Sequence, residues 1–176
     1  MKKPYLDQAT LHRLLIYDPD TGVFTWRERD DVRPQWNGRY AGKRAGYARQ
    51  ATGGGWYWSV RIFDWPFHAG PLAWLYMTGE WPADIVDHRD MDGLNNSWDN
   101  LREATKTQNA ANTRASKRNT SGLKGASYCK SAGRFRATIG VRGKQIWLGY
   151  FDTAEEAHAA YLDAATRLFQ DFARAA

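Results

Sequence analysis

Cysteine is almost absent from this chain. Cys129 stands alone among 176 residues, so no disulfide can close within the chain and no cysteine-based zinc cluster can form. A reducing, cytosolic setting fits that usage. Long apolar runs are also missing. None approaches the ~18 residues a membrane-spanning helix needs, and Met1–Pro4 leads into a polar amphipathic stretch, so neither a signal peptide nor a membrane partner is expected. The third absence is local. Between Ala104 and Phe151 there are ten Lys and Arg and no Asp or Glu. A uniformly solvated surface mixes both signs, so this interval points to an acidic partner.

What is present agrees with that. The net charge is +6 and the pI about 9.5, which favours an acidic partner, nucleic acid first and a membrane surface second; no small-molecule substrate is expected. Nine Trp, nine Tyr and seven Phe supply ample apolar area, so the chain is not a disordered one. Its length suits one medium domain or two small ones.

The first half alternates short elements. Asp7 can cap a helix carrying Leu11, Leu14 and Leu15 at helical spacing. "DPDTG" (18–22) brings turn chemistry, and "VFTW" (23–26) reads as a strand. Residues 36–56 are rich in Gly and Arg and read as turns between short strands. "WYWSVRIF" (56–63) alternates as a strand, and "GPLAWLYMTG" (70–79) has the proline-early, glycine-late asymmetry of a helix.

Residues 86–109, "VDHRDMDGLNNSWDNLREATKTQN", do not look built for a core. Asp90, Asp92 and Gly93 echo a calcium loop, but its first ligand position falls on His88, a poor calcium ligand, and its twelfth on Asp99, shorter than the usual Glu. A solvated turn accounts for the Asp, Asn and Gly content. It does not account for Asp87-His88 closing an apolar strand, with Asn100 and Asn109 following at separate positions. Phosphodiester hydrolysis needs a base for the water and a cation for the leaving oxygen. Imidazole, with its pKa near about 7, suits the first, and carboxylate and amide oxygens suit a hard divalent cation.

The order strand, loop, strand, helix over "VDHRDMDGLNNSWDNLREATKTQNAAN" resembles the HNH endonuclease motif, in the phage and intron-encoded branch where asparagines fill the later positions. "LAWLYMTGEWP" and "YDPDTGVFTW" resemble the same branch, so the likeness spans roughly residues 6–112. It implies a ββα-metal unit binding one Mg²⁺ or Mn²⁺. Asp87 and Asn109 would be the metal ligands, His88 the general base, and Asn100 the amide that orients its ring, with Asn96 the alternative. The products would be a 5′-phosphate and a 3′-hydroxyl. One departure is local: related chains often read His-Arg-Leu-Ala-Trp where this one has Gly70-Pro71-Leu72-Ala73-Trp74. His68 falls two positions early and receives no role; His12, His68 and His158 are read as structural.

Residues 113–121 are small, polar and basic and form a linker between domains 1–112 and 122–176. Beyond it, "GRFRATIGV" and "KQIWLGYF" alternate, "TAEE" is a capping box, and the helix behind it repeats Ala157, Ala160, Tyr161, Ala164, Leu168 and Phe169. Three antiparallel strands on one helix follow from this, and an α+β fold overall. "WLGYFDTAEEAHAAY" is similar to the ethylene-response-factor DNA-binding domain, which implies contact with double-stranded DNA through the exposed sheet face. The contact residues by position are Lys124, Arg134, Arg136, Gln145 and Trp147. The first-strand arginines of that family are replaced here by Lys124, Ser127 and Cys129, so no base specificity is carried over. Linker residues Arg114, Lys117 and Arg118 would track the phosphate backbone. The resulting expectation is a phage-encoded, homing-type endonuclease of the bacterial cytoplasm, nicking as a monomer. The competing expectation is a regulator that binds DNA through a degenerate nuclease fold without cutting it.

Overall fold

The structure is a computed structural model that describes residues 4–52, 54–113, 119–169 and 172–173. The fold is α+β, with two compact units, 1–103 and 104–176.

The first unit begins with α1 (Gln8–Leu14), whose start is set by Asp7: its carboxylate accepts the Thr10 N–H at 2.8 Å. Leu15 turns extended at once and opens β1 (Leu15–Asp18), which pairs antiparallel with β2 (Val23–Trp26) in the register Leu15↔Trp26 to Asp18↔Val23. Helix α2 (Pro34–Tyr40) follows, with proline in its first turn. Next come β3 (Tyr47–Gln50), β4 (Trp56–Ile62) and β5 (Trp65–His68), antiparallel in the order β3-β4-β5. Helix α3 (Ala69–Thr78) ends on Gly79, whose φ of 85° gives the left-handed cap. Strands β6 (Ile85–His88) and β7 (Leu101–Ala104) form a two-stranded ladder, with a 3-10 turn at Trp98–Asn100 between them.

Helix α3 is the centre of this unit. Ala69, Leu72, Ala73 and Leu75 are buried among Leu6, Leu11, Leu14, Leu15, Phe24, Val60 and Phe67. Each fully buried leucine contributes about 1.5–3 kcal/mol. One edge of the helix faces β6 through Gly70, where an added Cβ would lie 3.4 Å from Val86 and 3.6 Å from the His88 ring.

The second unit holds α4 (Lys106–Asn112), the strands β8 (Ala126–Cys129), β9 (Arg134–Val141) and β10 (Lys144–Phe151), and α5 (Ala154–Phe169). The sheet order is β10-β9-β8. Helix α5 packs on it through Ala157, Tyr161, Ala165 and Phe169. That four-residue spacing leaves Leu168, which the sequence places on the core side, 48% exposed. Gly125 (φ 78°) makes room for the Tyr161 ring, 2.2 Å from where a Cβ would sit. Helix α4 falls in this unit, whereas the sequence groups residues through 112 with the first. The physical reason is local: Ala111 packs with Ile139, Tyr161 and Phe169, and the Lys124 ammonium donates to the carbonyls of Ala110, Ala111 and Thr113 at the end of α4.

The sequence does not signal β1, α2 or β5. Leu15 carries on the leucine spacing of α1, which hides β1. Helix α2 offers only the Trp36–Tyr40 pair at helical spacing, and none of its residues is buried. Strand β5 contains Pro66, which demotes a strand pattern.

Candidate active site and nucleic-acid face

His88 closes β6. Its Nε2 lies 3.1 Å from Asn96 Oδ1, while Asn96 Nδ2 donates to the Leu94 carbonyl at 3.2 Å. The second bond fixes which end of the amide is oxygen, so His88 Nε2 is the donor in this pair. Asn96 is 2% exposed, and its backbone is clamped from the amino-terminal hairpin. Tyr17 Oη donates to Asn96 O at 2.7 Å, and Trp98 N–H donates to Pro19 O at 2.8 Å. Gly22 (φ 71°) presses so close that a Cβ would lie 2.1 Å from the Asn96 carbonyl carbon. "YDPDTG" is thus the strap over the histidine loop. Burial pushes the Tyr17 phenol pKa upward, with the nearby Asp18 carboxylate adding to it, so the hydroxyl stays a donor.

The sequence assigns the orienting role to Asn100, and the structure places that side chain elsewhere. Asn100 Oδ1 accepts the Asp90 N–H at 3.0 Å, and its Nδ2 donates to Asp90 Oδ1 and to Asn95 O at 2.9 and 2.8 Å. It closes the loop, and Asn96 reaches the ring. The strap holds the backbone of Asn96 and turns its amide inward, whereas Asn100 ends the 3-10 turn just before the return strand, level with Asp90.

Asp90 and Asp92 are loop formers, as their composition suggests. Asp90 accepts the N–H of Asp92 and the amide of Asn95, and Asp92 accepts the Leu94 N–H. Burial opposes ionisation of Asp90, but these bonds and that from Asn100 outweigh it and hold the carboxyl below its ordinary value. Gly93 is sutured to β4: Trp58 N–H donates to Gly93 O at 3.2 Å, and a Cβ there would meet Trp56 O at 2.4 Å.

A cavity of about 230 Å³ opens beside the ring, lined by His88, Asn96, His68, Tyr57, Gly70 and neighbours. His68 therefore shares a cavity with His88, its ring stacked on Tyr57 at 4.1 Å. The sequence gives no signal for this, because β5 was not legible. The other two histidines are structural: His12 stacks on Tyr76, and His158 Nδ1 sits 2.7 Å from Lys124 O.

Asp87, one residue earlier, is 5% exposed, and its Oδ2 accepts from Arg102 Nε at 2.9 Å. Arg102 lies on the neighbouring β7, and no spacing in the sequence signals the pair. Asn109 lies on α4, half-buried, its N–H bonded to Thr105 O. The Thr105–Gln108 capping box starts that helix. A carboxylate and an amide oxygen suit a hard divalent cation. Among the described residues no group of three or more His, Cys, Asp or Glu is placed to hold a metal ion.

The comparisons with known proteins bear on this segment. Residues 69–111 match the family model of the HNH endonucleases. The HNH segment so defined runs from α3 through α4 and takes in Asp87, His88, Asn96, Asn100 and Asn109. The chain is also similar to Protein 3.8 of Escherichia phage T7, at 45% identity over 60 residues, covering 34% of this chain and 50% of the phage protein. It is similar to Ethylene-responsive transcription factor ERF069 of Arabidopsis thaliana, at 34% identity over 85 residues, covering 48% of this chain and 54% of the plant protein. The chain thus spans about half the length of these curated relatives. No solved structure matches it significantly.

In the second unit the open sheet face is set by register. Paired strand residues share a face, so Ser127 and Cys129 of β8 lie with Arg136 and Arg134 of β9, and Gln145 and Trp147 of β10 lie with Gly140 and Thr138. A bulge follows Trp147. Leu148 is the extra residue, and Gly149 (φ 140°) carries the bend. The shift brings Tyr150 opposite Arg136 and turns Phe151 toward Phe135. Simple alternation would give Phe151 to solvent, and for that reason the sequence misses Tyr150. Its ring packs edge-on against Trp147 at 5.8 Å, and Trp147 is 62% exposed. Arg134 is ion-paired with Asp152 at 2.6 Å. Lys124, expected on DNA, caps α4 as described. Arg114, Lys117 and Arg118 lie outside the described residues. Among the described residues no helix is long and apolar enough to cross a membrane.

Proposed function

We propose that this chain is a divalent-metal-dependent DNA endonuclease of the HNH type, leaving a 5′-phosphate and a 3′-hydroxyl and nicking as a monomer. One observation carries the reading: within the segment that matches HNH endonucleases, His88 Nε2 lies 3.1 Å from the Asn96 amide oxygen beside a cavity. His88 Nδ1 takes the proton of the attacking water, and Asn96 keeps the ring in the required tautomer. His68, on the same cavity, holds a phosphate oxygen. Asp87 and Asn109 are the residues that would hold the cation. When bound, that cation supplies charge for the leaving oxygen. The second unit binds double-stranded DNA through Arg136, Gln145, Trp147 and Tyr150, with Arg134, Lys124 and the linker arginines and lysine in support. Similarity to a transcription factor supports that half, and similarity to a phage protein supports a phage-encoded enzyme acting in the bacterial cytoplasm.

A second reading has its own support. The Asp87 carboxylate is already ion-paired, as it would be in a regulator that kept the nuclease fold and lost its metal. Supercoiled plasmid with Mg²⁺ or Mn²⁺, with EDTA and His88→Ala as controls, separates the two. Open-circular product from wild type alone, abolished by EDTA, supports the nuclease. Intact plasmid with wild type under DNA-binding conditions gives the regulator.

A further inference from the structure

A second cleft in the first unit is unlike the histidine cavity. It encloses about 500 Å³ and is lined by Trp26, Trp36, Tyr40 and Phe63 with Arg29 and Arg61. That volume lies within the range of small-ligand sites, about 300–1,000 Å³. The rings stand at different angles. Trp36 meets Trp26 edge-on at 5.5 Å and Tyr40 at 5.2 Å, and the Arg29 guanidinium lies over Trp36 at 5.3 Å. Ile62 pairs with Trp65, so Phe63 and Asp64 form a two-residue hairpin turn, at φ 49° and 60°. Such turns favour Asn-Gly, and a bulky ring there is strained. Phe63 is nevertheless held 50% exposed at the rim. Strain kept at the mouth of a cleft is a sign of use.

We infer that this cleft takes an unstacked nucleobase of the DNA, sandwiched between Phe63 and the Trp36–Tyr40 pair. Charge selects that occupant. Arg29 is ion-paired with Asp31 at 2.8 Å, but residues 32–63 between Asp31 and Asp64 hold six Lys and Arg and no Asp or Glu, so the chain that builds most of the cleft favours a ligand carrying phosphate. Aromatic faces accept any base, because every base has a π face. Asp64 is the one acid among the lining residues. Its carboxylate can accept from an exocyclic amine, while its carbonyl already accepts from Arg61 at 3.1 Å. Along β4, Ile62 lies five residues from Tyr57 of the histidine cavity, a run of about 17 Å, or roughly five base steps at 3.4 Å. The cleft is therefore a separate contact. The choice of DNA as ligand rests on the endonuclease reading.

The test is anisotropy of a labelled twelve-residue oligodeoxycytidylate, whose bases carry the exocyclic amine, set against a duplex of equal length, with the full chain in EDTA. Phe63→Gly is the decisive variant, since glycine accepts φ 49° without strain. It should keep or raise the melting temperature while weakening single-strand binding by about tenfold or more. Trp36→Ala should do the same to binding and leave the salt dependence unchanged, because stacking releases no counterions. Wild-type affinity in Phe63→Gly overturns the inference, and so does an equal loss on single strand and duplex. The plasmid assay stands apart. Loss of cleft binding with nicking intact sinks only this inference, and absent nicking with cleft binding intact sinks only the nuclease.

Discussion

Arg102 Nε stands 2.9 Å from Asp87 Oδ2, with both side chains less than a tenth exposed. The two strands of the β6–β7 ladder thus bring a buried cation to a carboxylate that HNH chemistry would give to a metal. Removing one member of such a pair leaves an uncompensated buried charge, at about 3–5 kcal/mol. Arg102→Met should lose that much stability in urea unfolding. It should also gain more in melting temperature from Mg²⁺ than wild type does, since the cation then supplies the missing charge. If Mg²⁺ stabilises neither protein, Asp87 leaves the ligand set.

Asn96 and Asn100 should separate in kinetics. The Asn96 amide reaches the His88 ring, and the Asn100 amide closes the loop on Asp90 and Asn95. Asn96→Asp keeps an acceptor for the ring but replaces the donor to Leu94. Asn96→Leu removes both, and should lower nicking by about a hundredfold with DNA affinity unchanged. Asn100→Leu should act first on stability, by about 1–3 kcal/mol for the polar groups it strands, with Asn96→Asp retaining more activity than either. Equal kinetic losses with no stability difference between the two leucine variants would return the orienting role to Asn100.

These two asparagines show how far the sequence could be read. Periodicity and turn chemistry were enough for the sheet and helix of the second unit and for the strand-loop-strand-helix order around His88. Those signals are local. Asn96 is selected by a hairpin about 80 residues upstream in the chain, through Tyr17, Pro19 and Gly22, and no spacing rule inside the motif encodes that. Arg102 looks like any exposed strand arginine until β6 lies beside it. Tyr150 was missed because one bulge after Trp147 reverses the alternation that the rest of β10 obeys. The place of Lys124 in the chain predicts a DNA contact, and only the fold shows the carbonyl end of α4 binding its ammonium.

His68→Phe tests the second imidazole of the cavity. Phenylalanine keeps a ring to stack on Tyr57 and loses both nitrogens. Nicking should fall by about tenfold to a hundredfold while the melting temperature holds. His68→Gln restores a polar group and should recover part of the rate. A drop in stability that matches the drop in rate, with no recovery in His68→Gln, would reduce His68 to packing.

Cys129 reports on the sheet face. Its Sγ lies 3.3 Å from Ser131 Oγ and 3.7 Å from Tyr150 Oη, and hydrogen bonds from Ser131, the Ala132 N–H and Tyr150 lower the thiol pKa to about 7. A lowered pKa means the thiolate is present above about pH 7 and lost as pH falls through it, so iodoacetamide labelling should rise with pH with its midpoint there. Ser131→Ala should move the midpoint upward, toward the ordinary thiol value, and Tyr150→Phe should move it less. Cys129 shares its face with Arg134 and, through the register, with Arg136 and Trp147. Duplex DNA should therefore slow the labelling of wild type several-fold at fixed pH, and Arg136→Ala with Trp147→Ala should abolish that protection. Labelling that DNA leaves unchanged, at concentrations where the duplex is bound, would put the DNA on another surface of the chain.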